Sequence, residues 1–93
     1  KHFVYEVEYK LDNMHVLSVL FSTSSGIIEV LRKKASQMCS EIYFDTSCHE
    51  DIIRLENTIM ELPFDDCVVV SLGALSLPLE GHFKAIVSKK EVF

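Results

Sequence analysis

The chain has few of the features that announce a particular chemistry. It has only three glycines, each standing alone, so it offers no glycine-rich loop to cradle a phosphate. Its three cysteines, Cys39, Cys48 and Cys67, are an odd number at wide spacings without a CxxC pair. They do not make a disulfide framework, and the simpler expectation is a reducing compartment, cytoplasm or nucleus. The longest apolar run, Cys67 to Leu72, is interrupted by Ser71 and falls far short of the roughly 20 residues of a membrane span. No basic leader precedes an apolar segment, and the first residue is Lys1, which suggests a piece excised from a longer intracellular protein. Cations are also scarce, with nine Lys and Arg against fourteen Asp and Glu and a net charge of −5. Only Arg32-Lys33-Lys34 and Lys89-Lys90 cluster, and a short basic run on a helix is ordinarily its solvated face. Nucleic acid and membrane surfaces are therefore not expected partners.

What is present is the material of one folded domain. In 93 residues, 48% are apolar and 25% charged, a globular balance in a length that supports a single core. Residues 2–10 alternate, with Phe3, Tyr5, Val7 and Tyr9 on one face and Val4, Glu6, Glu8 and Lys10 on the other, which reads as a half-buried strand. Asp12-Asn13 supplies a turn, and 15–22 forms a second strand with Leu17, Val19 and Phe21 inward. Thr23-Ser24-Ser25-Gly26 starts a helix over 27–39, with Ile27, Leu31, Ala35 and Met38 as its apolar stripe. A third strand is expected at 41–45. Residues 51–62 read two ways: Ile52, Leu55, Ile59 and Leu62 suit a helix, whereas Ile53 and Leu55 suit a short strand and turn. Pro63 ends either. Residues 67–72 give a central strand with Val68, Val70 and Leu72 on one side and Val69 and Ser71 on the other. The core is placed in residues 1–73. Residues 74–93, with Pro78 and Gly81, form a C-terminal extension that packs on, or continues, the same domain through Phe83, Ile86 and Val87.

The run Thr58-Ile59-Met60-Glu61-Leu62-Pro63-Phe64-Asp65-Asp66 leading into Val68-Val69-Val70 resembles a stretch of ubiquitin-like proteins in which a turn and two apolar plugs precede a final inner strand. The step from Phe21 to Ile27 is similar too, and the likeness covers about residues 2–73. It implies an α+β fold of β-grasp type: a mixed sheet of four to five strands on one helix, plugged by Leu62 and Phe64. The chain lacks the family's terminal Gly-Gly, and Ser71 and Gly73 stand at its receptor-binding positions, so conjugation and ordinary ubiquitin receptors are not implied. Residues 41–45, 51–56 and 62–72 also look like the second half of Dishevelled–Axin (DIX) domains, which polymerise head to tail. Phox/Bem-type pairing domains are a further likeness, with Asp45, Glu50 and Asp51 in the place of an acidic loop.

No constellation makes a strong case for catalysis or metal binding. Cys48-His49 beside Glu50 and Asp51 lacks the spaced pairs of a zinc site. The cysteines and His15, His49 and His82 lie in no nucleophile motif, and Asp65-Asp66 reads as a solvated turn. The expectation is a non-catalytic interaction domain of a larger scaffold, enzyme or receptor, with no cofactor, metal or small-molecule substrate. The outer sheet face carries most of the information: Val4, Val16, Leu20, Tyr43 and Val69 all point away from the helix in these registers. Such an apolar face marks a contact site for another protein or a second copy, with Tyr43 as an aromatic anchor, unless the extension covers it. A self-assembling DIX-like or Phox/Bem-like module using Asp45 and Asp51 is one alternative. A ferredoxin-like regulatory domain, with 51–62 as a second helix, is another.

Overall fold

The computed structural model describes residues 2–39, 49–76 and 80–92. The N-terminal hairpin pairs β1 (His2–Leu11) with β2 (Met14–Phe21) through the Asp12-Asn13 turn. Two helices follow, α1 (Ser24–Met38) and α2 (His49–Met60), and then a second hairpin of β3 (Cys67–Leu75) and β4 (Gly81–Val92). The four strands form one sheet in the order β2-β1-β4-β3, antiparallel throughout.

Alternation decides which face of the sheet is dry. Tyr5, Val7, Tyr9 and Leu11 of β1 and Phe83, Ala85 and Val87 of β4 are all buried, and Leu17, Val19 and Phe21 of β2 pack at the margin of the same core. Ile27, Ile28, Leu31 and Ala35 of α1 meet this face, as does Ile59 of α2 with Ile52 and Leu55 beside it. Both helices thus share one side of the sheet. The rings of Tyr9 and Phe83 stack at 5.6 Å, near parallel, in the middle of the core. At one end the Lys89 ammonium lies 4.3 Å from the centre of the Phe3 ring and 5.1 Å from that of Phe64. Among the described residues no helix is long and apolar enough to cross a membrane.

The α+β class and a four-stranded sheet agree with the sequence reading, but three details are corrected. First, the described residues form an antiparallel sheet with two helices, where a mixed sheet on one helix was expected. The three-and-four spacing of Ile52, Leu55 and Ile59 requires a helix to bring all three to the core, and α2 supplies it. Second, among the described residues β3 is an edge strand, where a central one was expected. Residues 81–92 take the interior position, because Phe83, Ala85 and Val87 alternate against Lys84, Ile86 and Ser88 and pair with both β1 and β3. Third, Leu62 is buried, yet Phe64 is 42% exposed and serves as a lid on Lys89 more than as a plug. The expected strand at 41–45 lies outside the described residues.

The two hairpins are tied together at Asp12. Its φ of 55° holds the β1–β2 turn, its N–H donates to the His82 carbonyl at 2.9 Å, and its Oδ1 accepts from the His82 N–H at 3.1 Å. Gly81 lies under this contact with φ +145°, where a Cβ would sit 2.6 Å from Asp12 Oδ2 and 2.9 Å from Leu11 Cδ1. Gly81→Ala should therefore cost about 1–3 kcal/mol, read as a lowered urea midpoint. Gly26→Ala should instead be neutral or stabilising by up to about 1 kcal/mol. There the added Cβ meets its nearest neighbours, in Phe21 and Thr23, at an ordinary 3.7 Å within α1.

Candidate interaction edges of the sheet

The outer face of the sheet can be built row by row from the register. Leu20 of β2 lies beside Glu6 of β1, which lies beside Ser88 of β4 and then Cys67 of β3. The next row is Ser18, Glu8, Ile86 and Val69, and a third brings Lys10, Lys84 and Ser71 together. The Glu8 carboxylate accepts from His15 Nδ1 at 2.7 Å across the β1–β2 pair, and Glu6 faces Lys90 at 3.8 Å. The interior strands therefore carry a charged strip down the middle of this face.

The proposed contact residues fall around that strip and not in one continuous patch. Leu20 is 64% exposed and Val16 46%, both on β2, and Val16 is the extra residue where the register shifts opposite Tyr9 and Lys10. Val69 is 55% exposed on the opposite edge, with half-buried Ile86 at its side. Val4 is half-buried near the end of β1, paired with Lys90. Tyr43 and Asp45 lie outside the described residues. Asp51 belongs to α2, but its side chain is likewise outside them. The described part of the extension, residues 81–92, is a strand of the sheet itself and places Ile86 and Lys84 on this face.

What distinguishes the two edges is their composition. Every Asp, Glu, Lys and Arg of the sheet lies on the interior strands: Glu6, Glu8 and Lys10 on β1, and Lys84, Lys89, Lys90 and Glu91 on β4. The edge strands, Met14–Phe21 and Cys67–Leu75, contain none. Proteins usually do the reverse, placing lysines and other charges on edges so that the free N–H and C=O groups do not recruit another chain. Among the described residues no strand pairs with the outer side of β2 or β3. Ile86 and the edge composition were missed from sequence because the extension was not assigned a strand. The alternation of Phe83, Ala85 and Val87 was the signal that could have found it.

The groups considered for chemistry are scattered. Cys67 is exposed and pairs with Ser88, whereas His82 sits at the other end of β4, about 20 Å away along the strand. Burial pushes the Cys39 thiol above its ordinary range, the direction opposite to an activated nucleophile, and does the same to the Tyr5 and Tyr9 phenols. Asp65 and Asp66 work in the turn before β3. The Asp65 N–H donates to the Lys89 carbonyl at 2.9 Å, and Asp66 Oδ1 accepts from the Cys67 N–H at 2.8 Å. Among the described residues no group of three or more His, Cys, Asp or Glu is placed to hold a metal ion. A groove of about 680 Å³ runs between α1 and α2, lined by Ile28, Glu29, Arg32, Lys33, Ser36 and Glu56, with charges of both signs. No family model, curated protein or solved structure matches the chain.

Proposed function

We propose that this chain is a protein-interaction domain that takes an extended segment of a partner onto the open β2 edge of its sheet. The reading rests on one observation, the absence of charge from the edge strands of a sheet whose interior strands are charged. Strand addition uses the free main-chain groups of such an edge for affinity and the alternate side chains for selectivity. On β2 both faces favour it. Val16 and Leu20 are exposed on the strand, and the half-buried Leu17, Val19 and Phe21 end the core, so an added strand would extend that core by one more row. Covering a Leu- or Val-sized side chain contributes up to about 1.5–3 kcal/mol. The partner segment best suited is therefore extended, uncharged and alternately apolar.

Selection from displayed random peptides provides the test. The wild-type chain should enrich alternating apolar segments, and Val16→Lys with Leu20→Lys should abolish their binding, at least tenfold in affinity, while the circular dichroism spectrum is retained. Both residues are exposed, so the substitutions restore an ordinary charged edge without touching the core. Peptides that bind the doubly substituted chain equally well, or no enrichment at all, would remove the proposal.

A further inference from the structure

The other edge, β3, is complementary to itself. We infer that two copies of the chain pair antiparallel through Cys67–Ser71 of β3, about a two-fold axis passing between the two copies of Val69. Only the premise that an uncharged edge is there to be paired is shared with the reading above; the surface and the occupant differ.

The register follows from what lies on either side of this segment. With Val69 facing Val69 of the second copy, Val68 faces Val70 and Cys67 faces Ser71. The observed β3–β4 pairing extends each of these contacts inward. Val69 already lies beside Ile86, so the outer face gains an unbroken apolar row of Ile86, Val69, Val69 and Ile86 across the junction. On the inner face Val68 lies beside Val87 and Val70 beside Ala85, so the row runs Val87, Val68, Val70, Ala85, apolar throughout. At the margins Ser88 and Cys67 meet Ser71 and Lys84, polar against polar. Moving the axis to Val68 would set Asp66 against Val70, which is buried at the core. Moving it to Val70 would run the pairing into the irregularity between Ser71 and Gly73. Val69 is the one centre that uses all the uncharged, regular residues.

Charge permits the same arrangement. The chain's net negative charge opposes association, but the β3 segment is neutral, and Asp65 and Asp66 fall outside the paired stretch. Antiparallel pairing about this axis keeps the helices of both copies on one side of a continuous eight-stranded sheet. The two β2 edges are then at its far ends, free for partner segments. A five-residue junction buries less than the roughly 1,000 Å² of a stable interface, so the contact is weak and reversible.

The test is sedimentation velocity from micromolar to millimolar protein, combined with cysteine cross-linking in a Cys39→Ala, Cys48→Ser, Cys67→Ser background. The wild-type chain should move from monomer to dimer over this range. Val69→Lys should remain monomeric and folded, since the side chain it replaces is exposed. Val69→Cys should form a disulfide dimer at least about tenfold faster than Ser71→Cys, because directly opposed residues lie within disulfide reach and residues offset along the pair do not. A wild-type monomer at millimolar concentration, a Val69→Lys dimer, or equal cross-linking of the two cysteine variants would each overturn the inference. None of these outcomes alters peptide binding at β2, and a loss of peptide binding at β2 leaves the dimer standing.

Discussion

Phe83→Ala should lower the unfolding free energy by about 3–5 kcal/mol, measured by urea denaturation. Phe83 is buried in an interior strand and stacks on Tyr9, so truncation opens a cavity in the core. Domains of this size have only about 5–15 kcal/mol in total, and the variant would be near the limit of folding. Lys84→Ala is the control, because Lys84 points to the opposite face of the same strand. It should change stability by no more than about 0.5 kcal/mol. If residues 81–92 were a loosely attached extension, the two substitutions would be equally mild.

Ile59→Ala should cost about 2–5 kcal/mol, whereas Ile53→Ala should cost less than about 1 kcal/mol. Ile59 is fully buried against the sheet, and Ile53 lies on the exposed side of α2 at 44%. The contrast separates the two ways of reading residues 51–62. In a short strand and turn, Ile53 would share the inward face with Leu55, and its truncation would be costly. In the helix, Ile52, Leu55 and Ile59 share the buried stripe and Ile53 is left outside. Thermal melts of the two variants, compared at equal concentration, decide it.

These two substitutions also mark where the sequence was legible and where it was not. The first hairpin could be read because Tyr5, Val7 and Tyr9 alternate with Glu6, Glu8 and Lys10, a contrast of charge as well as of size. The first helix could be read because Ile27, Leu31 and Ala35 recur on one stripe beside Arg32-Lys33-Lys34. Residues 51–62 were ambiguous because Ile52-Ile53 is adjacent to Leu55, which satisfies either period over a short window. The strand within the extension was hard to see because Ala85 is small and Ile86 is apolar on the outward face, which blurs the alternation that Phe83 and Val87 establish. Losing that strand changed the whole order of the sheet, since β3 then had to be interior. Val16, Leu20 and Val69 are exposed, as the alternation in their strands implies. That they lie on two opposite edges, parted by Glu6, Glu8, Lys10 and Lys84, depends on strand order, which local pattern does not carry.

The central claim is that this sheet associates by its edges and not by its outer face. Amide hydrogen exchange, followed residue by residue by NMR at low and high protein concentration and again with a selected peptide, addresses it most directly. Protection should increase along Cys67–Ser71 with concentration and along Met14–Phe21 with peptide. Amides of residues 5–11 in β1 and 83–88 in β4, which are paired on both sides, should not change. Unaltered exchange at both edges, or spectral changes centred on Glu6, Glu8, Lys84 and Lys90, would contradict it.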